Sequence, residues 1–372
     1  MKVSAMLMLP LVALAIAAGS CAKESGETRP KLRLGNVPWP GWAALDVGLE
    51  KGFFREEGVD VELVQFGVSG DQQLIDAIAS GEVDGGFYML GALLNKALER
   101  GQPITYLGAV DWSYGGDQIV IRPPLETSIE AIRSGQRQVG TYSTAASTLL
   151  LLDLYFRDTS RHSWSFSIGD VAVTERPAED LVTSFIAGEE PLSLNFDPVI
   201  YDQIAAGGEV VATSATYPGV ISEGLMVSTP LYQGANKAAY AALLRGWVRA
   251  VEYMYGKGHR LNVLNAARAD EVVEIVQRRT FLGDGTSKED VLSSLANVRV
   301  FSRAKLEAVN LDEREDVRLA EYPTKGVQPL RSHLREIDEF IRVLNPAAAA
   351  LQDQVTVDLE PLRSALAQLD AR

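Results

Sequence analysis

With a single cysteine, Cys21, the chain can form no internal disulfide and no cysteine-ligated metal site. Its three histidines, His162, His259 and His333, stand far apart with no metal-ligand spacing. There is no G-x-S-x-G, no P-loop and no G-x-G-x-x-G after a strand, so an enzyme reading has no motif behind it, and no cofactor or metal is called for. Positive charge is also scarce. Thirty-five Lys and Arg face 49 Asp and Glu, a net charge of −14. Without residues 1–20, which hold Lys2 and no acid, the balance is 34 − 49 = −15. Nucleic-acid binding and a polybasic membrane patch both lose support. Apolar runs of membrane-spanning length are missing too: the run from about Ala5 to Ala18 is too short and too early, and reads as a secretory leader.

The end of that leader gives Cys21 its one job. Ala18, Gly19 and Ser20 directly before it resemble the lipobox of bacterial lipoproteins, whose cysteine is lipidated and becomes the new N-terminus. Residues 21–30, polar and without apolar period, read as a tether between membrane and folded body. About 340 residues remain, enough for two domains.

From Lys31 the chain alternates strands and helices, with Lys31–Val37, Val59–Phe66, Gly85–Tyr88 and Ile104–Val110 as strands, and predicts an α/β fold with a parallel sheet. A second set of such units runs from Gln118 to Thr213, and Gly224–Ser228 adds a strand before an amphipathic helix, about Asn236 to Tyr255. Beyond residue 257 helical spacing dominates and strands are hard to find.

Three segments carry a resemblance: V-G-L-E-K-G-F-F-R-E-E-G-V-D-V-E-L-V at 47–64, A-S-G-E-V-D at 79–84 and G-T-Y-S-T-A at 140–145. The chain is similar there to the solute-binding proteins of bacterial nitrate, sulfonate, taurine and thiamine-precursor ABC importers. That resemblance implies a two-lobed type 2 periplasmic-binding-protein fold with the ligand cleft between lobes, here followed by a helical C-terminal extension. Mapped onto this sequence, lobe one is 31–116 plus 229–256, lobe two is 117–228, and 257–372 packs on the lobes. Implied partners are a small-molecule solute and ABC permease subunits. The implied setting is a monomer on the periplasmic or cell-surface side, lipid-anchored to the membrane. A ligand-sensing module for a membrane receptor is the alternative, with an extracytoplasmic enzyme on the same fold behind it. Eukaryotic relatives of this fold that make a pyrimidine use a cysteine-rich motif, which this chain lacks.

In open α/β sheets ligands sit at the carboxyl ends of strands, near helix N-termini, so the candidates are loops after strands. Trp39 and Trp42, two of five tryptophans, follow the first strand in a loop stiffened by Pro38 and Pro40; they are either walls of the cleft or core packing. Ser69 and Asp71 follow the second strand, where Asp71 caps a helix or meets the ligand. Tyr88 and Met89 end the next strand. Asp111 and Trp112 stand before the first crossover, as ligand contacts or as a turn. Tyr142, Ser143 and Thr144 offer hydroxyls and free N–H groups at a helix start, where sulfonate-type relatives meet the acidic head group. Asn195 and Asp197 resemble the family's aromatic-acid-proline step, with Phe196 in the tryptophan position, and Glu223 precedes the returning crossover. None of these loops contains Lys, Arg or His, so nitrate fits less well than a zwitterion such as taurine or an amine or amidine.

Overall fold

The computed structural model describes residues 29–67, 70–92, 104–234, 237–312, 329–346 and 355–371. The leader, Cys21, most of the tether, Ser69, the side chain of Asp71 and the end of the helix read from Leu90 lie outside the described residues.

Twelve strands are described. In chain order they are β1 (Lys31–Asn36), β2 (Asp60–Gln65), β3 (Gly85–Met89), β4 (Ile104–Ser113), β5 (Asp117–Ile121), β6 (Val139–Thr141), β7 (Val173–Glu175), β8 (Leu192–Phe196), β9 (Glu209–Thr213), β10 (Ser222–Ser228), β11 (Val298–Val300) and β12 (Val355–Val357). They form two sheets, ordered β11-β4-β10-β3-β1-β2, with β12 also paired to β4, and β7-β6-β8-β5-β9. Helices flank both, so the α/β reading holds, and the resemblance's two-lobed fold is observed.

The sheets are mixed rather than parallel. β1, β2 and β3 run parallel, as do β6, β7 and β8, but β10 is antiparallel to β3 and β4, and β5 is antiparallel to β8 and β9. The chain passes between lobes at 113–117 and returns at 214–221. A strand entering a lobe through such a crossing starts at the edge where the parallel strands end, so it must run against them. β3, β4, β5, β8 and β10 are buried along their whole lengths, so polar groups they carry, Asp111, Asp117, Gln118, Asn195 and Glu223, are buried with them.

Lobe one is closed by the helix Lys237–Tyr255, whose Trp247 stacks on Phe87 with centroids 4.8 Å apart. Its Arg245 pairs with buried Glu57 at 2.7 Å and Arg249 joins at 3.0 Å. Glu57 is brought there by the short helix Phe53–Glu56, which begins after Gly52 adopts a left-handed φ of 74°. That pair gives the 47–64 stretch a physical role: it docks a distant helix.

The C-terminal region is mainly helical, yet it also contributes β11 and β12, both laid on β4. Three-residue strands carry too little periodicity to be read locally; their pairing with the buried β4 makes them. The carbonyl of Asn297, just before β11, accepts the backbone N–H groups of Tyr114 and Gly116 at 2.9 Å each. The extension therefore grips the first crossing. Among the described residues no helix is long and apolar enough to cross a membrane.

Candidate functional site

Between the lobes lies a cavity of about 30 Å³, lined by Val37, Pro38, Trp39, Trp42, Tyr88, Met89 and Glu223 from lobe one and by Asp117, Tyr142 and Phe196 from lobe two. A volume of this size holds about two waters. The walls follow from the topology. β1, β3, β6 and β8 end here, as the carboxyl-end rule requires, while β5 and β10 begin here. Register then sets one acid beside one strand end in each lobe: Asp117 opposite Phe196, and Glu223 opposite Met89.

The aromatic side chains bridge the lobes. Trp39 meets Phe196 edge-on at 6.0 Å, Phe196 meets Tyr142 at 4.8 Å, and Trp42 lies 6.0 Å from Tyr88. The Tyr142 hydroxyl donates to Asp117 Oδ1 at 2.5 Å and stands 3.4 Å from Met89 Sδ across the cleft. Gly91 of lobe one touches Ser147 at the start of the helix Ala146–Arg157 so closely that a Cβ there would lie 2.4 Å from the Ser147 backbone nitrogen. The lobes are closed on one another. Both indole nitrogens, of Trp39 and Trp42, are buried without a hydrogen-bond partner.

Four carboxylates surround this cleft, and none forms an ion pair among the described residues. Asp117 and Glu223 line it; Asp111 and Asp197 stand behind. Glu223 and Asp111 are paired residues on β10 and β4. Burial pushes Glu223 well above the carboxylate range, and the neighbouring charges of Asp111 and Asp117 push it further. Burial likewise raises Asp111, against the pull of the Glu223 side chain and the Trp39 indole. Those contacts are close but poorly aligned, since neither Asp111 oxygen, nor Glu223 Oε2, nor Trp39 Nε1 has a well-formed bond. Asp117 is raised to about 6 by burial, offset by hydrogen bonds from Ser113 and Tyr142.

Of the residues singled out from the sequence, Trp39, Trp42, Tyr88, Tyr142 and Glu223 come together in the cleft. Asp111 sits behind Gly41, where an added Cβ would fall 2.0 Å from its Oδ2 and 2.6 Å from Trp39 Nε1. Trp112 points to the other face of β4, under the Lys305 ammonium at 4.4 Å. Asn195 is spent on the Phe196 N–H and the Ala178 carbonyl. Asp197 accepts from Gln118 at 2.9 Å and from Asn297 at 2.8 Å, tying lobe two to the C-terminal region; burial still raises it to about 6. The Ser143 hydroxyl accepts the Ala145 N–H. Thr144 donates its N–H to Glu175 at 2.6 Å, and its hydroxyl binds the same oxygen. An internal carboxylate thus occupies the loop that the resemblance gives to an acidic head group. Asp117 escapes a reading that follows strand ends, because it opens a strand; the Gly115-Gly116 step before it is the local signal of a crossing.

A second, larger cavity of about 200 Å³ lies behind the hinge, lined by Trp112, Leu154, Tyr217, Val309, Leu330 and His333 among others.

Fold and cleft together define a two-lobed periplasmic-binding-protein architecture. Residues 39–111 match the family model described as NMT1/THI5 like, in agreement with the resemblance read from the sequence. The chain is similar to the periplasmic nitrate-binding protein NrtA of Synechocystis PCC 6803, at 17% identity and TM-score 0.64 over 92% of this chain and 90% of that one. It is similar to the alkanesulfonate-binding protein SsuA of Xanthomonas axonopodis pv. citri, bound to MOPS, at 14% identity and TM-score 0.61 over 89% and 100%. The ligand-binding component of an ABC-type import system from Staphylococcus aureus, with zinc bound, aligns at 16% identity and TM-score 0.63 over 91% and 99%. No curated protein matches by sequence.

Proposed function

We propose that this chain is the extracytoplasmic solute-binding component of an ABC importer, which captures a small organic nitrogen- or sulfur-containing compound by closing its two lobes and hands it to permease subunits. Lobe one is 31–116 with 229–256, lobe two is 117–228, and 257–372 packs on both. The protein acts as a monomer without enzymatic turnover, held at the membrane by a lipid on Cys21. The observation that carries the reading is the interlobe cleft, walled by aromatic groups of both lobes and by Asp117 and Glu223. Its small volume supports a hinge, because a solute of taurine size enters only when the lobes part at 113–117 and 214–221. The serine pair Ser113 and Ser214, 2.7 Å apart across the two crossings, is placed to act as the pivot. Ligand then stabilises the closed state by its differential affinity.

A thermal-shift screen of the purified protein against amines, guanidines, sulfonates, taurine, nitrate and pyrimidines tests this, followed by small-angle scattering with the compound that responds. A rise in melting temperature with a smaller radius of gyration is the expected result. Turnover of the bound compound, abolished by replacing Asp117, would replace this reading with an enzymatic one.

A further inference from the structure

Resting on that solute-binding reading, we infer that the solute is an organic cation, an amine, amidine or quaternary ammonium without an acidic group, and that its charge takes the place of protons held by Glu223 and Asp117 in the closed cleft. Glu223 is 3% exposed, lines the cavity and leaves Oε2 without a partner. Asp117, 1% exposed, has only neutral donors around it. A buried carboxylate in an apolar wall needs a counter-charge or a proton. No Lys, Arg or His lines the cavity. Trp39, Trp42, Tyr88, Tyr142 and Phe196 supply faces that attract a cation and reject an anion. The loop at 142–144, which the resemblance gives to an anion, is taken by Glu175. Among the described residues no three acidic or histidine groups are arranged to hold a metal ion, which turns the carboxylates toward an organic charge.

Among the described residues, the groups that face Glu223 include no resident cation. They are Asp111 and Tyr106 from β4, Asp117 from β5, and Tyr88 and Met89 from β3, with Tyr142 across the cleft and Tyr255 reaching Asp111 from its helix. Arg299 on β11 is committed to the Tyr114 ring and to the carbonyls of Ala296 and Val298. Lys305 lies over Trp112 and Phe301. With the carboxyls protonated at low pH, a cation meets no charge; as they ionise, it meets one or two. Raised carboxyl values agree in direction.

The experiment is calorimetry of the full chain with butylamine, methylguanidine and choline, beside taurine, methanesulfonate and nitrate, at pH 5.0, 6.5 and 7.5 in two buffers of different ionisation heat. At least one cation binds, more than tenfold tighter at pH 7.5 than at 5.0, with net proton release at pH 6.5. Glu223→Gln and Asp117→Asn each weaken binding tenfold or more and flatten its pH dependence, while unliganded melting temperature at pH 7.5 stays level or rises. Binding of taurine, methanesulfonate or nitrate but no cation overturns the inference and leaves the solute-binding reading standing. Cation binding without proton release, or unchanged in both variants, also overturns it. Silence from all six probes overturns it as well, and the wider thermal-shift screen then judges the solute-binding reading on its own.

Discussion

Two cavities of this molecule differ in the opposite sense to what size suggests. The hinge cavity, about 200 Å³, is mostly apolar and brings together Trp112, Leu154, Val309 and Leu330 beside His333 and Glu336. The interlobe cleft is about 30 Å³, yet it concentrates two carboxylates, two unpartnered indole N–H groups and aromatic faces from both lobes. The proposed function rests on that unsatisfied polarity enclosed between two lobes rather than on open volume. The hinge cavity is then a packing seam where the C-terminal extension meets the lobes.

Four changes would break or sharpen that contrast. Leu330→Ala, which enlarges the hinge cavity at a residue 2% exposed, is expected to lower unfolding free energy by about 2–5 kcal/mol in urea melts while solute affinity stays within about twofold. A matching loss of affinity would make the hinge cavity part of the binding mechanism. Trp39→Ala should act the other way, weakening binding by about 2–4 kcal/mol in calorimetry with a smaller change in unliganded stability. Unchanged binding with a collapsed melting temperature would return Trp39 to the core. Asn297→Ala removes the 2.8 Å bond to buried Asp197 and should destabilise the chain by about 1–3 kcal/mol, read by thermal melts.

The smallest effect is a slope. Asp117 and Asp197, each held at about 6, bind more protons in the folded chain than in the unfolded one between about pH 4 and 6. Stability therefore falls as pH rises through that window, by at most about 1.4 kcal/mol per unit for each group. Asp117→Asn should remove one group's share and leave the rest. A slope unchanged in the variant would show that Asp117 is ionised throughout.

Much of the fold was legible because each unit writes its own period. The strands read at Lys31–Val37, Val59–Phe66 and Gly85–Tyr88 are observed at Lys31–Asn36, Asp60–Gln65 and Gly85–Met89, within one residue at each end, since each is a short run with its own local pattern. Helices Leu125–Arg133, Ile200–Ala205 and Arg303–Asn310 were not read, and β11 and β12 exist only through pairing with β4.

The site divides along the same line. By itself the sequence determined an acidic α/β chain with a stiff aromatic loop at Trp39 and Trp42 and no cation among the candidate loops, because composition and local spacing are properties of neighbouring residues. Only the tertiary structure decided which acids line the cleft. Asp117 reaches the cleft because β5 pairs antiparallel with β8, 79 residues separate Gln118 from the Asp197 it helps satisfy, and Asp111 is screened by Gly41. Whether a carboxylate is spent on a partner or left facing a cavity depends on segments that meet only when two sheets close on one another.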